Sequence, residues 1–272
     1  MRYREVAPSP ELARYVQCYW FLSGSDGAAG GVQPILPDGR MELVINLGDA
    51  FRRAIEDGWE LQPQAMIVGQ MGRPVVVEPT GLVDIVGVRF HPWGARAFIE
   101  TPMDRFREEL PGLGDVSTRL SRVVRDYEGD LRERRTVASL ERMLLSAVRR
   151  QRGTDDLVES AARLIVGARG LGSVAATARE VGLTGRQLER RFLDGVGIGP
   201  KRLSRILRFQ QALMASLEQS KPNWARIAAR CGYFDQTHLI RDFREFSGYS
   251  PTTLQLNEDS LTALMLAADV DR

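Results

Sequence analysis

A short pattern occurs twice in the last third of the chain, and this repeat constrains the fold more than any other feature. The first copy begins Ala178-Arg-Glu-Val-Gly182 and runs through Leu188, Arg190 and Phe192 to Gly197-Ile-Gly-Pro200. The second begins Ala228-Ala-Arg-Cys-Gly232 and runs through Leu239, Arg241 and Phe243 to Gly248-Tyr-Ser-Pro251. In each copy Arg stands two positions before Phe, Gly five after it and Pro eight after it. Only the spacing from the first Gly to the Phe differs, ten positions against eleven. Two such units offset by about fifty residues form an internal repeat.

Each copy has the syntax of a helix, a turn and a second helix. Ser173 and Asn223 are placed to cap short helices ending near Glu180 and Arg230. Gly182 and Gly232 then supply the backbone freedom of a tight turn. In the second helices Leu188 and Phe192, and Leu239 and Phe243, are four apart and point to one face. That leaves Arg186, Gln187, Glu189 and Arg190 outward in one copy, and Gln236, Thr237, Ile240 and Arg241 in the other. Arg and Gln are side chains that bond base edges in a major groove.

On these residues, the region from about Asp155 to Asn257 resembles the paired helix-turn-helix domain of AraC/XylS-family bacterial transcription regulators. The two repeats, their one-residue difference and the closing Gly-x-x-Pro carry the resemblance, and CGYFDQTHLIRDFREFSGYSP matches the family's closing motif throughout. The resemblance implies double-stranded promoter DNA as partner. The expected contacts are the outward residues already named, together with His238 and Arg244, and Lys201, Arg202 and Arg205 nearer the phosphates. The opening phrases YREVAPSPELARYVQCYWFL, ILPDGRMELVINLGD and VGVRFHPWGARAF resemble the amino-terminal domain of one branch of that family, a regulatory domain of unknown signal.

Length, charge and cysteine usage agree. The 272 residues, 43% apolar, suit two domains. Residues 154–258 hold 15 basic against 11 acidic side chains, whereas residues 1–153 hold 21 of each. The positive excess therefore lies where phosphates would be met. No apolar run reaches a membrane span, MRYREVAPSP lacks a signal-peptide core, and Cys18 and Cys231 suit a reducing cytoplasm. A cytoplasmic, nucleoid-associated protein is expected.

In the first part, Pro8-Ser-Pro10 precedes an aromatic-rich stretch from Glu11 to Phe21, and Ser23 to Gly31 reads as a loop. Strand-like runs follow at Val32–Leu36, Met41–Leu47, Ala65–Val68, Val75–Val77 and Val83–Phe90, separated by turn signals. Such spacing predicts a small antiparallel barrel or sandwich. From Pro92 the period is helical, with Asp104 and Asp115 as caps and Leu131, Val137, Leu140, Leu144 and Val148 on one apolar face. That face suits burial within the chain or pairing with a second copy equally well.

The expected fold is α+β. An amino-terminal barrel or sandwich with helices spans residues 1–152, and an all-α domain of two helix-turn-helix units joined by a long helix spans 153–258. A tail covers 259–272, and the linker lies in Arg149–Asp156.

Enzymatic readings find little support. His91 is the single histidine of the first part, too few for a histidine–carboxylate metal site. Neither a Gly-x-Ser-x-Gly elbow nor a phosphate-cradling Gly-rich loop occurs. A methyl-accepting repair cysteine, found in some relatives, needs an activated thiolate, and Cys18 sits in apolar Val-Gln-Cys-Tyr-Trp. No catalytic residue, cofactor or metal is expected. Tyr15, Tyr19, Trp20 and Trp59 are candidates for walling a ligand pocket, with core packing as the alternative. The function expected is a sequence-specific transcription regulator controlled by a small molecule through the first domain, with RNA polymerase and a second copy as further partners. The rival is a small-molecule-binding or enzymatic first domain with an appended DNA-binding module.

Overall fold

The computed structural model describes residues 1–24, 31–134, 137–148, 155–254 and 260–270. Residues 149–154 of the linker expected at Arg149–Asp156, with the domain boundary at 152/153, lie outside the described residues, as does most of the loop read at 23–31, while Asp155 caps the helix that follows. Among the described residues nine strands come first: β1 (Arg2–Val6), β2 (Val16–Gly24), β3 (Gln33–Ile35), β4 (Glu42–Asn46), β5 (Phe51–Ile55), β6 (Gly58–Leu61), β7 (Ala65–Val68), β8 (Val75–Pro79) and β9 (Val83–Phe90). They form two antiparallel sheets, ordered β1-β2-β9-β4-β7 and β3-β8-β5-β6. The result is a sandwich and not a closed barrel.

The central strand β9 reads VDIVGVRF and is buried along its whole length. A strand covered on both faces is apolar at most positions rather than at alternate ones, with Asp84 and Arg89 the buried charged exceptions here. Val86, Val88 and Phe90 join Leu43, Ile45 and Ile67 on one face, while Val83 and Ile85 meet Phe51 and Val77 of the second sheet on the other. Trp20 stands opposite Gly87, and any Cβ there would run into the indole ring. This glycine lets the ring lie flat on the central strand.

Short 3₁₀ turns at Ala95–Ala97 and Met103–Phe106 lead into α1 (Leu113–Val116), α2 (Thr118–Arg134) and α3 (Val137–Ala147). Leu120 and Val124 of α2 and Leu140, Met143, Leu144 and Ala147 of α3 are buried against the first sheet. Of the expected apolar face, Val137, Leu140, Leu144 and Val148 are thus used inside the chain, which favours the first of the two readings left open for it, while the Leu131 side chain lies outside the described residues. Asp104 and Asp115 lie within their turns and do not cap them. Ser117 is the residue in front of α2, its Oγ accepting from Leu120 N at 3.1 Å.

The remaining helices are α4 (Asp156–Gly167), α5 (Val174–Glu180), α6 (Gly185–Val196), α7 (Pro200–Leu217), α8 (Trp224–Arg230), α9 (Gln236–Ser247) and α10 (Leu261–Val270). Ser173 and Asn223 do cap α5 and α8, accepting from Ala176 N and Arg226 N. Among the described residues no helix is long and apolar enough to cross a membrane.

The two parts share buried contacts. Leu36 and Trp93 of the first belong to the core of the second, with Ile165, Leu203 and Ile206. Gln210 Nε2 donates to Pro37 O at 2.5 Å and Arg14 Nε to Glu159 at 2.8 Å. The segment expected to be a tail forms α10, which returns to the first part. Leu261 N donates to Gln33 Oε1 at 3.2 Å, Leu261 enters the sandwich core, and Leu266 enters the helical core.

His91 is built into this junction. Its ring stacks on Trp93 with centroids 4.8 Å apart, and the Arg163 guanidinium lies 4.5 Å from the Trp93 ring centroid. Burial pushes its pKa below the usual histidine value; a backbone hydrogen bond to Ala13 works against this and the Arg163 charge adds to it. The sign of the linkage follows. Below the unfolded histidine pKa of about 6.5 the unfolded chain takes up a proton that the folded chain resists. Stability contributed here is present above that pH and is lost as pH falls through the depressed folded value. Thermal unfolding of the full chain between pH 7.5 and 5 is expected to show a midpoint that falls with acidification, and His91→Gln is expected to flatten the slope. An equal slope in the variant would rule this out.

Candidate nucleic-acid interface

Two helix pairs, α5 with α6 and α8 with α9, are built alike. Gly182 and Gly232 take φ of 70° and 69°, a conformation costly for other residues. Just after each, a backbone amide reaches back over the turn: Leu183 N to Ala178 O at 2.8 Å, Tyr233 N to Ala228 O at 3.0 Å. Leu188, Phe192, Leu239 and Phe243 are completely buried. Between the pairs runs α7, started by Pro200, which suits a first helical position because its missing amide proton has no partner there. Its Phe209 meets Phe243 edge-on at 5.0 Å, so the long helix is packed into the second unit.

The outward faces carry most of the expected contacts. Arg186, Glu189 and Arg190 of α6 and Gln236, Thr237, His238, Arg241 and Arg244 of α9 are exposed, with Ile240 half-buried. Lys201 is exposed as well. Gln187 is engaged within its own helix start, where its Oε1 accepts from Thr184 N at 2.9 Å, the return half of a capping box that begins α6. The Glu189 carboxylate is turned toward Gly199, at the start of α7, where the positive end of the helix dipole favours it.

Arg202 and Arg205 correct the phosphate expectation. Arg202 donates to Glu245 at 2.9 Å and to Gly72 O at 3.1 Å, tying α7 to α9 and to the first domain. Arg205 bonds Asp242, through Nε at 3.1 Å, and also Glu245. Burial disfavours the Arg205 charge, yet the hydrogen bonds it donates to Glu245 and Asp242 outweigh this and hold the pKa above the usual value. Both guanidinium groups are committed internally because α7 begins in a crevice between α9 and the Gly72 loop, which no local pattern in the sequence reveals. Of the three cations at that helix start, Lys201 alone is presented outward.

A family model described as a helix-turn-helix domain matches residues 177–257, the segment holding both units and α7. This is an AraC-type helix-turn-helix domain. The chain therefore carries a DNA-binding domain of the AraC type. A second family model, a domain of unknown function (DUF6597), matches residues 4–110, nearly all of the sandwich. Comparison with curated proteins finds no match. Among solved structures, ToxT from Vibrio cholerae O395 bound to (E)-4-(8-methylnaphthalen-1-yl)but-3-enoic acid is 12% identical with a TM-score of 0.43, covering 85% of this chain and 97% of that one. Unsaturated fatty acid-bound ToxT from Vibrio cholerae strain SCE256 gives 11% and 0.42 over 85% and 93%. The AraC-like transcriptional activator CuxR gives 10% and 0.26 over 75% and 84%. The assignment of the AraC-type domain rests on the family match and on the geometry of the two helix pairs.

The aromatic residues expected to wall a ligand pocket do not come together. Tyr19 is buried in the core beneath α2 and α3, Trp20 lies on the opposite face of the same sheet, and Tyr15 packs edge-on against Phe98 at 6.1 Å. Trp59 is exposed on β6 beneath the Arg52 guanidinium. In an alternating strand, neighbours such as Tyr19 and Trp20 must face opposite ways, so the cluster in sequence is dispersed in space. A cavity lies elsewhere, between the AraC-type domain and the sandwich. Ile35, Leu36, Val68, Met71 and Leu266 line its apolar part, Asp38, Arg40, Glu42 and Arg89 its polar end, and Gln210 and Thr262 its rim. Sequence reasoning missed it because its walls come from five separate stretches of the chain; the phrase ILPDGRMELV, which supplies much of the lining, was the available signal. Cys18 and Cys231 are both buried, and burial raises the Cys231 thiol pKa. Among the described residues no group of three His, Cys, Asp or Glu side chains is placed to hold a metal ion.

Proposed function

We propose that one chain reads two successive major-groove segments of a promoter, α6 entering one and α9 the next, and that a small molecule in the interdomain cavity governs this binding. The observation that carries the DNA part is the pair of exposed, Arg- and Gln-bearing helix faces held by one continuous helix. Arg190 and Arg241 occupy equivalent positions, two residues before the buried Phe of each unit. As base readers each should be worth about 1–3 kcal/mol, whereas Lys201 would meet a phosphate. The Arg190→Ala, Arg241→Ala double variant is expected to lose sequence preference in titrations against a selected duplex and a shuffled one. Lys201→Ala is expected to weaken both duplexes equally and to reduce the salt slope by about one. Undiminished selectivity in the double variant would refute the assignment. The cavity supports control by a ligand because its walls belong to the sandwich, to α7 and to α10. An occupant would touch all three and shift their packing together. A screen of metabolites by thermal shift on the full chain and on Met71→Trp, which fills the cavity, tests this: a hit must shift the native protein and not the variant.

A further inference from the structure

The structure explains the one-residue difference between the two repeats. Gly182 is followed by Leu183 and then Thr184, the N-cap of α6. Gly232 is followed by Tyr233, then Phe234, and only then Asp235, the N-cap of α9. Leu183 and Tyr233 correspond, since both are buried and both donate back across the turn to an alanine carbonyl. Thr184 and Asp235 correspond as well, accepting from Gln187 N at 3.3 Å and His238 N at 2.7 Å. The inserted residue is therefore Phe234, and its side chain is 93% exposed.

A phenylalanine in that position does nothing for the core. It projects from the turn directly before α9, in the row continued by exposed Gln236, Thr237 and His238. We propose that Phe234 is a base-reading residue that packs on the 5-methyl group of a thymine in the groove segment entered by α9. This rests on the DNA-binding reading above. In a helix-turn-helix the residues at the start of the recognition helix meet the base edges, and the thymine methyl is the apolar group on that edge. Asp235 already holds an amide donor at the start of α9 that would otherwise clasp a phosphate, so the turn meets the groove through the ring. The first unit has no equivalent residue, so the thymine requirement belongs to one of the two segments.

The test uses the full chain and a duplex it enriches from random DNA. Each thymine is replaced in turn by deoxyuridine, which removes the methyl group and leaves base pairing intact. The native protein is expected to lose affinity roughly fourfold, the value of one buried methyl-sized group, at one thymine of the α9 segment. Phe234→Ala should bind the thymine and deoxyuridine duplexes equally, and Phe234→Leu should keep part of the difference. Thermal midpoints should be unchanged in both variants, because the side chain touches no core. Native binding insensitive to every replacement, or a sensitivity that persists in Phe234→Ala, overturns the inference while leaving the DNA-binding reading intact. A Phe234→Ala protein with native DNA affinity that fails to recruit RNA polymerase overturns it too, and assigns the ring to a protein contact. Failure of the native chain to enrich any sequence removes the DNA-binding reading and this inference with it.

Discussion

Arg89→Ala is expected to lower the unfolding free energy of the chain by about 3–5 kcal/mol, the cost of removing one partner from a buried ion pair. Arg89 is 1% exposed. It donates to Glu42 Oε1 at 2.7 Å and to Glu5 Oε1 at 2.8 Å, with an Asp38 oxygen 4.0 Å away. Glu42 is its direct cross-strand partner, so β4 and β9 bring the opposite charges together by register. Burial works against the Arg89 charge, but the neighbouring Glu42 carboxylate overrules it and the pKa stands well above the usual arginine value. Burial likewise pushes the Glu42 carboxyl pKa up, with Arg89 opposing that shift. Truncating the arginine removes the opposition and leaves two carboxylates desolvated. A carboxyl whose folded pKa is raised contributes stability at low pH that is lost as pH rises. The variant should therefore lose less against the native protein at pH 5 than at pH 8, and Glu42→Gln in the same background should restore part of the loss. Urea midpoints at the two pH values measure both effects. A loss under about 1 kcal/mol would show that the network does not hold the sandwich together.

Gln210→Pro is expected to cost about 3 kcal/mol or more and to reduce a two-segment footprint to one. The position lies in the middle of α7, whose 18 residues span about 27 Å at 1.5 Å per residue. One turn of DNA is about 34 Å, so a rigid α7 sets a separation suited to successive groove segments on one face. Proline removes a helical hydrogen bond and bends the strut, which changes that separation. It also removes the Gln210 hydrogen bond to Pro37 O. Gln210→Ala is the control, since it loses the same interdomain bond while keeping the helix. Circular dichroism first establishes that the proline variant is folded. Footprinting should then show both segments protected in the native protein and in Gln210→Ala, and one in Gln210→Pro. Protection of both by a folded Gln210→Pro protein would end the strut idea.

Much of the second domain is legible in the sequence. Ser173 and Asn223 as caps, the two turn glycines and the buried pairs at four-residue spacing all appear where the sequence placed them, because each depends on groups within a turn of one another. Of the strands, β3, β4, β7, β8 and β9 were found by their apolar runs. β5 and β6 were not, since FRRAI and GWEL are mostly exposed and carry charge at the positions that should alternate. Candidate site residues divided in the same way. Outward-facing Arg190 and Arg241 follow from helical periodicity alone, while Arg202 and Arg205, expected nearer phosphates, are engaged with Glu245, Asp242 and Gly72.

What the sequence determined by itself, then, was the repeat, its helix-turn-helix grammar and the type of the DNA-binding domain, since periodicity, capping and turn chemistry act over a few residues. Tertiary structure decided the rest. It placed α3 against the sheet, folded α10 back between the parts, dispersed the aromatic residues and assembled a cavity from segments more than two hundred residues apart. Those outcomes depend on which surfaces meet. An apolar face or an arginine looks the same in sequence whether its partner is solvent, DNA or a strand from the other end of the chain.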